Sequence, residues 1–63
     1  MNNNFKQLLQ FLSEDENISI KIYFKDGEWV IEYYYINELK TKAFYRDFDM
    51  SVTAINNYLL DET

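Results

Sequence analysis

The 63-residue chain carries eleven acids against six bases, for a net charge of −5, with neither cysteine nor histidine. That composition excludes disulfides, the usual zinc sites and nucleophile–base pairs built on Cys or His. It also weighs against direct nucleic-acid binding, for which clustered cations supply most of the affinity.

Phe5, Leu8, Leu9 and Leu12 recur at helical spacing, which predicts an amphipathic helix over 3–12 with "SEDEN" as the connection that ends it. From Ile18 the period becomes two: Ile18, Ile20, Ile22 and Phe24 alternate with Ser19, Lys21, Tyr23 and Lys25, as in a half-buried strand. Asp26-Gly27 then closes a two-residue hairpin. This register sets Phe24 opposite Trp29 and Ile22 opposite Ile31 on one face, and Lys25 opposite Glu28 and Lys21 opposite Glu32 on the other. The charge pairs and the apolar pairs agree on one phase, and a slip by one residue would expose the whole apolar set.

A third strand is predicted over 39–46 after a loop Ile36-Asn37-Glu38, with Leu39, Thr41, Ala43 and Tyr45 inward. Glu32 then meets Lys42, Val30 meets Phe44 and Glu28 meets Arg46. The opposite phase would bury Lys40 and Lys42 without partners. Val52, Ile55 and Leu59 mark a last helix, with Leu60 beside the stripe, Ser51 or Asp49 as N-cap and Met50 stapled on Ile55. The expected fold is a single α+β domain over 1–63, a three-stranded antiparallel meander with an N-terminal and a C-terminal helix. Alternation also divides the run "YYY": Tyr33 and Tyr35 face the core, and Tyr34 faces outward beside Lys40 and Ser19.

Five of the six bases (Lys21, Lys25, Lys40, Lys42 and Arg46) thus fall on the outer sheet face, among Tyr23, Val30, Tyr34, Phe44, Glu28 and Glu32. Most other acids gather where the first helix enters the sheet and the last helix returns: Glu14, Asp15, Glu16, Glu38, Asp61 and Glu62 form an expected acidic pole. To a basic protein groove such a pole resembles a short run of phosphates.

No catalytic constellation emerges. Capping accounts for Ser13 and Ser51, and neither Asp47-x-Asp49 nor Glu14-Asp15-Glu16 follows the calcium-loop spacing with its central glycine. One glycine excludes a Gly-rich phosphate loop. The expectation is a protein without enzyme activity, metal or cofactor. The N-terminus lacks signal-peptide features, and no apolar run approaches the ~20 residues that span a bilayer.

In element order and acidic balance the chain resembles the small acidic phage-encoded anti-CRISPR proteins that inhibit type II-A Cas9. The matching segments are "FKQLLQFL", the three strands and "SVTAINNYLL". The resemblance implies an inhibitor whose acidic side chains occupy a site that reads DNA. An Asn-, Ile-, Lys- and Tyr-rich composition without proline, typical of AT-rich coding DNA, fits phages of low-GC bacteria and a cytoplasmic setting in the host. Two alternatives use the outer face around Tyr23, Val30, Tyr34, Phe44, Lys21 and Lys42: homodimerisation of a structural or adaptor module, or weak single-strand binding by ring stacking.

Overall fold

In a computed structural model that describes residues 3–62, the element order is α1 (Asn3–Glu14), β1 (Ile18–Lys25), β2 (Glu28–Tyr35), β3 (Glu38–Tyr45) and α2 (Phe48–Glu62). The strands form one antiparallel sheet in the order β1-β2-β3. This is the α+β meander that the switch from helical to strand period and back foretells.

The first hairpin has the expected register throughout, from Lys25 opposite Glu28 to Ile18 opposite Tyr35. Asp26 (φ 53°) and Gly27 (φ 81°) both adopt the left-handed conformation that matches the twist of the flanking strands.

The second hairpin differs from expectation. Its loop is two residues, Ile36 and Asn37, both left-handed, so Tyr35 pairs with Glu38 and Tyr34 with Leu39. Continued without interruption, that register would set Lys40 against Tyr33 and turn Lys42 into the core. A bulge prevents this: pairing jumps to Tyr33 opposite Thr41, Lys40 has no cross-strand partner, and Glu32 meets Lys42 as expected. The bulge reconciles a tight turn with a core that needs Ala43 and Tyr45 inward.

Three sequence expectations are corrected as a result. Leu39 lies on the outer face opposite Tyr34, not in the core. Lys40 borders the inner side with Tyr33 and Tyr35 rather than standing on the outer face. Arg46 falls beyond β3, whose last pair is Trp29 with Tyr45, so Glu28 does not meet it. The outer face therefore holds three bases, Lys21, Lys25 and Lys42, rather than five.

Both helices pack on the inner face. The core joins Leu8 and Phe11 of α1, Ile31 and Tyr33 of β2, and Val52, Ile55 and Leu59 of α2. Phe11, three residues after Leu8, shares the buried stripe, whereas Leu9 is exposed. The helix is thus rotated from the stripe expected. It also runs two residues further, because Ser13 Oγ donates to the Gln10 carbonyl at 2.8 Å and Asp15 N–H to the Phe11 carbonyl at 3.3 Å. Phe24 and Trp29 meet edge-on at 5.2 Å, Trp29 and Phe48 at 5.0 Å, and Tyr33 and Tyr58 at 5.5 Å. Such pairs strengthen a core too small to rely on area alone.

The start of α2 is set by Asp47, whose Oδ1 accepts from Asp49 N–H at 2.8 Å. Ser51, an expected cap, lies inside the helix instead, fully buried, with its hydroxyl donating to the Phe48 carbonyl at 2.6 Å. Met50 is 60% exposed and staples nothing. Among the described residues no helix is long and apolar enough to cross a membrane.

Candidate functional site

Two surfaces follow from this architecture: the sheet face that no helix covers, and the end at which both helices finish. The open face is organised around Glu32. Its side chain is only 11% exposed although it sits on the helix-free side. The Tyr23 hydroxyl donates to Oε2 at 2.6 Å and the Tyr34 hydroxyl to Oε1 at 2.5 Å. Lys42 Nζ lies 3.5 Å from Oε2.

These partners outweigh desolvation. Hydrogen bonds from Tyr23 and then Tyr34, with a smaller contribution from the Lys42 charge, hold the Glu32 carboxyl at about 2, well below its ordinary value of 4.5. The same bonds push both tyrosine hydroxyls above their ordinary 10, because ionisation would set a phenolate against the carboxylate. A carboxylate this well supplied with donors is a structural hub of the open face. Strand alternation places Tyr34 and Glu32 on one face of β2, the register brings Lys42 opposite, and Tyr23 reaches in diagonally from β1.

The hub alters the two readings that use this face. Val30 is 1% exposed and lies at the floor of an outer-face recess shared with Tyr23, Glu28, Lys42 and Phe44. Lys21 Nζ lies 5.4 Å from the Tyr34 ring centroid and Lys42 Nζ 5.8 Å from that of Phe44. Two of the rings expected to stack on bases, Tyr34 and Phe44, already carry lysines on their faces. Exposed apolar area on this side comes from Phe44 and from Leu39, a residue assigned to the core on sequence grounds.

The acidic end is assembled by three segments. Ile36 N–H donates to the Asn17 carbonyl at 3.0 Å, which ties the turn before Glu38 to the connection holding Glu14, Asp15 and Glu16. Phe5 meets Phe48 at 6.2 Å and Asn4 Nδ2 reaches Thr53 Oγ1 at 2.7 Å, so α1 and α2 start together and run in the same direction. Leu59 then borders the same cavity as Phe11 and Asp15, which brings the last turn of α2, with Asp61, to this end. The side chain of Glu62 lies outside the described residues.

The acids here are not equivalent. Asp15 fastens its own turn, with Oδ1 accepting from Asn17 N–H at 2.9 Å. Glu14 Oε2 accepts weakly from Gln10 Nε2 at 3.5 Å, and Glu38 pairs with Lys40 at 3.3 Å. Lys40, expected on the outer face, is thus a cation within the acidic end. Even so, charge concentrates here: among the described side chains, five acids (Glu14, Asp15, Glu16, Glu38 and Asp61) lie at this end against one base, Lys40. Among the described residues no group of three or more His, Cys, Asp or Glu side chains is placed to hold a metal ion.

No protein-family model, no curated protein and no solved structure matches this chain.

Proposed function

We propose that this is a small non-enzymatic interaction protein whose acidic end binds a basic surface of a nucleic-acid-handling protein and competes there with nucleic acid. The observation that carries the reading is the placement of acids where stability disfavours them. Both helices end at this pole, where the macrodipole is negative and cations are the favourable neighbours. Yet neither α1 nor α2 has a base in its last turn, and Glu14 and Asp61 stand there instead. Charge arranged against the helix dipoles supports a role in binding.

Backbone strain at the same place supports it further. Ile36 is 64% exposed and left-handed, a conformation β-branched residues rarely accept. An exposed apolar side chain held in strain beside an acidic rim suits a contact residue better than a turn residue. Ile36→Asn is therefore expected to raise stability by about 1 kcal/mol, as relief of left-handed strain implies. It should also weaken partner binding. Urea denaturation measures the first effect, and a gain in stability without loss of binding would count against Ile36 as a contact.

In its narrowest form, following the resemblance in element order and charge, the partner is a type II-A Cas9 in the cytoplasm of a bacterial host and the chain is a phage-borne inhibitor. DNA cleavage by a purified type II-A Cas9–guide complex tests this form. Inhibition relieved by excess target duplex is the expected outcome, and unchanged cleavage at micromolar protein would exclude Cas9 as the target.

A further inference from the structure

Between the C-terminal halves of α1 and α2 and the inner side of the sheet lies a cavity of about 430 Å³ that opens at the acidic end. Phe11, Ile18, Tyr33, Tyr35 and Leu59 form its walls, with Asp15 and Lys40 also lining it. Its volume falls in the range of about 300–1,000 Å³ usual for specific ligand sites, and its make-up follows the same pattern of mostly apolar walls with few polar groups.

We propose that this cavity is an arginine pocket, through which the acidic end takes one arginine side chain of its basic partner. The inference rests on the binding reading above and names the group recognised. An arginine is apolar along its stem and cationic at its planar tip, and both halves have a counterpart here. Leu59, Ile18 and Phe11 offer surface to the methylenes. Tyr33 and Tyr35 supply the aromatic lining, and the face of such a ring attracts a weakly hydrated guanidinium more strongly than a strongly hydrated ammonium.

The charge at the opening favours a cation. Lys40 is the only base lining the cavity, and its ammonium is paired with Glu38 at 3.3 Å. Asp15 uses Oδ1 to hold the Asn17 amide at 2.9 Å, which leaves Oδ2 for a guanidinium N–H. Glu14 and Glu16 flank it in sequence and keep the local field negative. An anionic ligand would meet the same field with the opposite sign.

The bulge makes the site. It turns Lys40 inward to the rim beside Tyr33 and Tyr35, while Lys42 stays on the outer face with Glu32.

The test titrates isotope-labelled protein with hexa-arginine and, separately, hexa-lysine at low salt, read by amide NMR. The expected result is tighter binding of hexa-arginine by about threefold or more, the selectivity that ring contacts with a guanidinium supply. Shifts at Phe11, Ile18, Tyr35 and Leu59 should appear with the arginine peptide alone. Asp15→Asn, which keeps an oxygen to accept from Asn17, and Tyr35→Leu should each reduce the affinity to that of hexa-lysine. Equal affinities, or an arginine preference that survives both substitutions with no shifts at the cavity walls, would overturn the pocket while leaving the acidic end as a binding surface. Failure of both peptides to bind would overturn the pocket and the binding reading together.

Discussion

Exchanging Glu14, Glu16 and Asp61 for lysine is expected to abolish binding to the basic partner while leaving the fold at least as stable. The three exchanges raise the net charge from −5 by two units each, to +1. They reverse the field at the one end where acids outnumber bases heavily. Asp15 is spared because its carboxylate fastens the connection through Asn17, so its reversal would confuse binding with folding. Stability should hold or rise, since each cation gained near a helix C-terminus is worth about 0.3–1 kcal/mol at low salt. A folded, more stable variant that no longer binds separates the two roles of these residues. A variant that loses stability and binding together would instead mark the acids as structural.

Loss of Glu32 is expected to be the most destabilising single change on the open sheet face. Glu32→Ala leaves the Tyr23 and Tyr34 hydroxyls and the Lys42 ammonium without their shared acceptor, and removing one member of a buried polar group costs more than the group contributes intact. Lys42→Ala should cost less, because both tyrosine hydrogen bonds remain.

The pH dependence has a definite sign. The folded carboxyl titrates at about 2, whereas an unfolded glutamate titrates near its ordinary 4.5. Between those values the unfolded chain binds the extra proton. The stabilisation is complete above about pH 4.5 and is lost as pH falls through about 2. At the other extreme, the raised tyrosine values give a contribution present below pH 10 and lost as pH rises past them. Urea midpoints between pH 6 and 2 should fall more steeply for the wild type than for Glu32→Gln. Parallel profiles would show that Glu32 is not the hub of the open face.

Much of this arrangement is legible in the sequence where two independent signals coincide. The first hairpin is the clearest case: Asp26-Gly27, the Lys–Glu pairs and the Phe24–Trp29 pair all demand one register, and that register forms. Val52, Ile55 and Leu59 likewise appear as one stripe and are among the most deeply buried side chains. The second hairpin is where sequence reasoning fails, because its turn begins with isoleucine in a left-handed conformation that residue ordinarily avoids. A three-residue loop without a bulge gives the same Glu32–Lys42 pairing as a two-residue loop with one. The two differ only at Glu38, Leu39 and Lys40, and this is why Leu39 and Lys40 are misplaced.

The acidic end could be located from topology alone, since it needs only the direction of each element. The rim of its cavity could not, because Lys40 reaches it only through the bulge. Glu32 carried a usable signal: an acid at mid-strand with Lys21 and Lys42 opposite, Tyr34 two residues on and Tyr23 diagonal to it is a candidate for shared hydrogen bonding. Read as one rung of an alternating-charge ladder, it looked solvated. The first helix shows the same kind of loss, since Phe11 and Leu9 compete for the buried stripe and only packing against α2 decides between them.

The central claim is that the acidic end engages a protein at a site that otherwise holds nucleic acid. Retention of lysate proteins from a low-GC bacterium on immobilised protein tests it most directly, with three columns in parallel: wild type, the Glu14→Lys/Glu16→Lys/Asp61→Lys variant and an outer-face Tyr34→Ala variant. The account predicts a nucleic-acid-handling protein that wild type and Tyr34→Ala retain, that the charge-reversed column does not, and that duplex DNA releases. Retention unaffected by charge reversal, or lost with Tyr34→Ala instead, would contradict it.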